Sequence, residues 1–174
     1  MVETTRFGSI SVAEDDILTF PEGMLGFSKI HEYALIERVD DPLFIWLQAV
    51  KKASVAFPLL EPQIFETGYQ VELTEEDREI LTLASLQHAK VFSIITIPSD
   101  PTKMTANLKA PIVINLKKRL ARQVILHAAD YPIRKAIYAG LQQHCAARHQ
   151  AVFNETEATA YHAVHLADEL EATA

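Results

Sequence analysis

MTANLKAPIVIN, from Met104 to Asn115, is the stretch on which the fold turns. Its second half reads as a strand. Pro111 cannot donate a ladder hydrogen bond and biases Ala110 toward extended backbone, so it suits a strand's first position. Ile112, Val113 and Ile114 follow, all β-branched. Consecutive apolar residues predict burial on both faces of that strand. The first half, Met104 to Lys109, fits neither the period of a helix nor that of a strand. Thr105 and Asn107 can bond nearby backbone, which predicts a shaped connection rather than a regular element.

Working outward, most of the first 130 residues read as short strands between turn signals. FGSISV alternates. DILTF leads into PEGMLGF, where Pro21, Gly23 and Gly26 predict tight turns. EYALIER and LFIWLQAV are separated by Asp40-Asp41-Pro42. SVAFPLL, YQVEL and AKVFSIITIP are further strands, and APIVINL and RQVILHA form a hairpin across Lys117-Lys118-Arg119. One short helix interrupts them. Thr74-Glu75-Glu76-Asp77 has the form of a capping box, with acids where the helix dipole favours them. After Asp130 the pattern becomes helical. Pro132 suits a first helical position, and Ile133, Ile137, Leu141 and Cys145 predict an apolar stripe. Asn154 to Glu157 is a second cap, opening an Ala-rich helix with Tyr161, Val164 and Leu170.

The chain has 174 residues, of which 49% are hydrophobic, enough for one compact domain with an appendage. A single cysteine, Cys145, rules out an internal disulfide. The start, MVETTRFGSI, lacks the apolar core of a signal peptide. The run VFSIITIPS falls far short of the roughly 20 residues of a membrane helix. A soluble, cytoplasmic protein with no membrane contact is expected. The net charge of −7 is uneven: residues 1–76 carry −9, residues 77–150 carry +7 and residues 151–174 carry −5. An acidic first half repels phosphates and attracts a basic protein.

Signatures of catalysis are absent: no Gly-rich phosphate loop, no G-x-S-x-G, no H-E-x-x-H. Asp15-Asp16, Asp40-Asp41 and Glu75-Glu76-Asp77 sit at turns or a helix start, so they do not converge as acid–base pairs. Cys145 is expected to be a small core residue. His162, His165 and Asp168 have helical i, i+3, i+6 spacing, but the third drifts off the face and no cysteine joins them. No enzyme activity, cofactor or metal site is expected. Trp46 shares a strand face with Phe44 and Gln48, while Leu47 takes the other face. The core is its expected place, although Trp also anchors interfaces. Lys117, Lys118, Arg119 and Arg122 read as a charged hairpin tip.

FGSISVAEDDILTFPEGMLGF, FIWLQAV, IPSDPTKMTANLKAPIVIN and RQVILHAADYPIR, in this order and spacing, resemble the flagellar assembly factor FliW family from about Phe7 to Arg134. The resemblance implies a mostly β fold: a small barrel-like antiparallel domain over residues 1–135, with a short helical insertion. A helical C-terminal extension, acidic at its end, occupies 136–174. It also implies a non-enzymatic protein that binds flagellin and the RNA-binding translational repressor CsrA, and so couples flagellin synthesis to secretion. Phe27, Trp46, Leu47, Gln48, Met104, Thr105 and Asn107 are the candidate partner-binding residues. No direct nucleic-acid partner is expected. The alternative is a regulatory protein that binds RNA through the basic 117–135 region. Two features depart from the family pattern. The hairpin turn Lys118-Arg119-Leu120-Ala121 lacks the usual glycine, without which a positive φ is costly, so a different turn type is expected. Some 40 residues also follow YPIR, where members commonly end.

Overall fold

A computed structural model describes residues 1–39, 41–127 and 130–148. The chain divides after Tyr138 into two units, which are taken separately. The first is mostly β. Its strands are β1 (Val2–Thr4), β2 (Gly8–Ile10), β3 (Ile17–Thr19), β4 (Glu32–Arg38), β5 (Asp41–Ala49), β6 (Ala56–Leu60), β7 (Ala89–Thr96), β8 (Thr105–Ala106), β9 (Ile112–Asn115), β10 (Leu120–Gln123) and β11 (Lys135–Ala136). Its α-helix is α1 (Glu75–Leu81). No helix among the described residues is long and apolar enough to cross a membrane.

Seven strands close a barrel. β3 to β7 form an antiparallel meander, β9 returns against β7, β10 pairs with β9, and β10 lies parallel to β3. Alternation fills the interior. Leu18, Tyr33, Leu47, Leu59, Phe92, Ile112 and Ile114 point inward from their strands, and Phe20 and Met24 join them from the turn after β3. Each such side chain contributes about 1.5–3 kcal/mol by leaving water. The turn itself needs glycine at one place. Gly23 has φ +71°, and a Cβ there would lie 2.7 Å from the Ser28 backbone.

MTANLKAPIVIN is one strand interrupted. β8 pairs with Ile95 and Thr96 of β7, and β9 pairs with Ala89 to Phe92. Between the two ladders β7 has two residues, Ser93 and Ile94, whereas the opposite chain has five, Asn107 to Pro111. The surplus makes a large, irregular bulge. Asn107 organises it: its backbone N–H donates to Ile94 O (2.9 Å), and its Oδ1 accepts from Lys109 N (3.1 Å) and Ala110 N (3.0 Å). The local bonding expected of Asn107 is therefore present. The bulge also turns Leu108 into a second core.

That second core lies outside the barrel. Val113 points outward from β9 and meets Leu108, Leu81, Leu83, Val124, Leu126 and Tyr69. Residues 65–86 supply the cover. Polar pins hold this irregular segment: the Tyr69 hydroxyl donates to Leu108 O (2.7 Å), and Asn115 Nδ2 donates to Leu81 O (2.9 Å). The capping box of α1 forms as expected. Thr74 Oγ1 accepts from Asp77 N, and Asp77 Oδ2 accepts from Thr74 N. A third covered face lies on β5, where Phe7 packs edge-on against Trp46 and the Arg6 guanidinium sits 4.4 Å from its ring centre.

Several expectations are corrected. YQVEL forms no strand, and its apolar side chains dock on the outer core instead. The RQVILHA strand ends at Gln123. Beyond it, Val124 and Leu126 donate to Pro111 O and Lys109 O, following the bulge rather than the ladder. Asp41 and Pro42 belong to β5, not to a turn. The glycine-free hairpin does contain a positive φ, at Arg119 (+56°). Arg119 Nη1 donates to Glu14 O (3.0 Å) and Asp15 Oδ1 (3.1 Å), contacts that offset the strain. Helix α2, over 138–148, starts six residues after Pro132, because Lys135 and Ala136 first pair with β8. Ile137 and Leu141 are buried, whereas Ile133 is 65% exposed and Cys145 is exposed. Each four-residue step overshoots a helical turn by about 40°, so a strict i+4 stripe leaves the buried face. The proposed cap at Asn154 and the trio His162, His165 and Asp168 lie outside the described residues.

Candidate partner-binding surface

The chain between β10 and residue 127 forms the floor of two adjoining clefts. One, of about 290 Å³, lies between this floor and segment 70–74 and includes Leu73, Leu126 and Tyr131. The other, of about 350 Å³, lies between the floor, the turn after β3 and the start of α1, and includes Glu22, Leu25, Glu76 and Arg122. Thr74, Ile125 and His127 line both. Leu25 is 56% exposed and Ile125 40% exposed, so apolar surface is open to solvent here. Gln123 holds the turn in place: its Oε1 accepts from Leu25 N (3.1 Å), and its Nε2 donates to Ala110 O (3.2 Å). The bulge of MTANLKAPIVIN is thus tied directly to one cleft wall.

Arg122 organises the charge. Its side chain is only 17% exposed, and three carboxylates surround it. Nη2 lies 3.0 Å from Glu22 and 3.1 Å from Glu76, and Nη1 lies 3.2 Å from Asp77. The Nη1 contact falls outside hydrogen-bond geometry, so its attraction to Asp77 is Coulombic. One cation among three anions leaves the cluster net negative. Asp77 is buried and committed to the helix cap, whereas the side chains of Glu22 and Glu76 are 53% and 68% exposed.

The sequence candidates fall in three places. Leu47 points into the barrel, and Trp46 and Gln48 are buried on the other face of β5. Gln48 Nε2 donates to Val55 O (3.0 Å), bracing the turn from β5 to β6. Met104 is also buried. Phe27, half-buried, packs edge-on against Phe57 at 5.3 Å. Thr105 and Asn107 are half-buried on the interrupted strand. The structure does not bring these seven into one patch. Leu25, Ile125 and Glu22 are not among the sequence candidates, and Glu76 is read there only as part of the helix start.

Three of the six bases in the 117–135 region are ion-paired within the chain. Arg119 pairs with Asp15 (3.1 Å), Arg122 with its three acids, and Lys135 with Glu66 (2.7 Å). Lys117, Lys118 and Arg134 are exposed. Among the described residues no group of three or more His, Cys, Asp or Glu side chains is arranged to hold a metal.

The family model described as FliW protein matches residues 1–137. A flagellar assembly factor FliW of Bdellovibrio bacteriovorus is 45% identical over 143 residues, which cover 82% of this chain and 82% of that protein. A protein of the same description from Ruminiclostridium cellulolyticum is 38% identical, over 82% of this chain and 97% of its own length. A crystal structure of the flagellar assembly factor FliW superposes with a TM-score of 0.74 at 33% identity, covering 79% of this chain and 96% of that one.

Proposed function

The chain belongs to the FliW family of flagellar assembly factors, and from that premise we propose that it is a non-enzymatic, cytoplasmic protein that binds flagellin and the translational repressor CsrA. Flagellin that accumulates unsecreted occupies the protein and frees the repressor, which then lowers flagellin synthesis. The family match over residues 1–137 carries this reading. Physical chemistry supports it. An RNA-binding repressor needs a basic surface, and an acidic protein docks on it quickly and repels RNA from its surroundings. A flagellin helix would need an exposed apolar groove, and the Ile125 clefts offer one. Phe27, Thr105 and Asn107 are near enough to the surface to contribute contacts. Trp46, Leu47, Gln48 and Met104 act from beneath, by holding the scaffold's shape.

Pull-downs with flagellin and CsrA from the same organism test the proposal, followed by competition between the two. Binding to each, with one reducing the affinity of the other, is the expected result. Binding to neither, or independent saturation by both, removes it.

A further inference from the structure

We propose that Glu22 and Glu76 receive a lysine or arginine side chain of the basic partner, while Leu25 and Ile125 take the apolar group beside it. For the partner's identity this rests on the function proposed above. The carboxylates around Arg122 are unequally committed. Asp77 is buried, with Oδ2 engaged by Thr74 and Oδ1 facing Nη1. Glu22 and Glu76 converge on one nitrogen, Nη2, from the solvent side. A carboxylate offers about four lone-pair sites, so both retain acceptor capacity. Arg122 fixes their positions from below and leaves the cluster anionic. A bare metal ion would face that guanidinium, and a phosphate would face the acids. An ammonium or guanidinium on a long side chain, entering from solvent, meets neither obstacle.

The apolar half of the recognition lies beside the charges. Leu25 projects from the turn that also carries Glu22, and Ile125 projects from the floor that carries Arg122. The occupant is therefore a segment of a basic protein with a cationic and an apolar side chain on one face. Its placement is contiguous with the apolar cleft, because Thr74, Ile125 and His127 line both. A helix filling that cleft would contact the same Ile125, which links the two binding events physically.

The experiment is a titration of the full chain, wild type and Glu22→Gln/Glu76→Gln, with CsrA at low and high salt. The double variant should bind roughly tenfold more weakly, as loss of a close charge pair predicts, with a flatter dependence on salt. The control Glu32→Gln/Glu61→Gln removes two exposed acids elsewhere and should change little. Equal affinity of the Glu22/Glu76 variant and the wild type overturns the inference alone, as does an equal loss in the control. No binding by wild type overturns it together with the proposed function. Thermal unfolding shows whether the double variant remains folded. If it does not, Leu25→Ser, at an exposed site outside the ionic cluster, gives the second reading. Weaker binding to CsrA by that variant supports the inference, and unchanged binding overturns it.

Discussion

The barrel interior and the outer layer are both apolar cores, but they are built differently. Inside, most side chains arrive by alternation from paired strands, joined by Phe20 and Met24 from a turn. Outside, residues 65–86 have one short helix and no strand, and polar side chains hold the segment at a few points. A regular core spreads its dependence over many contacts of similar kind. The irregular one concentrates it in single hydrogen bonds to carbonyls that have no ladder partner.

The largest effect should come from the regular side. Phe20 is fully buried and packs edge-on against Tyr33 at 4.9 Å. Phe20→Ala should lower the unfolding free energy by about 3–5 kcal/mol in urea titrations. A loss below about 1.5 kcal/mol, the range of volume-conserving swaps, would mean that the barrel refills the space. On the irregular side, Asn115→Ala removes the bonds to Leu81 O and Thr82 O and leaves buried acceptors unsatisfied. It should lower stability by about 1–3 kcal/mol. It should also raise amide exchange in 74–86 and at Lys118, whose N–H loses its bond to Asn115 Oδ1, whereas Phe20→Ala should raise it throughout the barrel. Equal patterns from the two variants would erase the distinction.

The smallest effect is at high pH. Burial pushes the Tyr33 hydroxyl up to about 12 from an ordinary 10, and burial, with Tyr131 nearby, raises Tyr69 as well. Both remain protonated in the folded chain after they would ionise in the unfolded one. Stability is therefore fully present below pH 10 and falls as pH rises from there through the folded values. Tyr69→Phe should cost about 1 kcal/mol at neutral pH by losing its bond to Leu108 O, and should shallow the alkaline decline. Unfolding followed against pH, with and without this substitution, checks both signs.

The same contrast decides what could be read from the sequence. Strands with alternating or β-branched residues were legible, as was the capping box at Thr74, because each is set by local chemistry. YQVEL was misread because an apolar segment looks the same whether it pairs or merely docks. Ile133 lies outside the helix because the pairing of Lys135 and Ala136 with β8 delays its start, a tertiary event no periodicity contains, whereas Cys145 is exposed because a strict four-residue step drifts off the buried face. The surface candidate was least visible. Arg122 reads as one base in a basic hairpin, yet its acids come from residue 22 in the turn after β3 and from 76 and 77 on α1, which packs on β10.

That closure also constrains how the molecule is made. The ring is sealed where Leu120 of β10 meets Thr19 of β3. During synthesis the first strand of the meander waits, one edge bare, until the chain past Gln123 has left the ribosome. A nascent chain stalled before that point presents an open sheet to its neighbours. The late arrival of β10, the strand after MTANLKAPIVIN, therefore sets the moment at which that edge is covered.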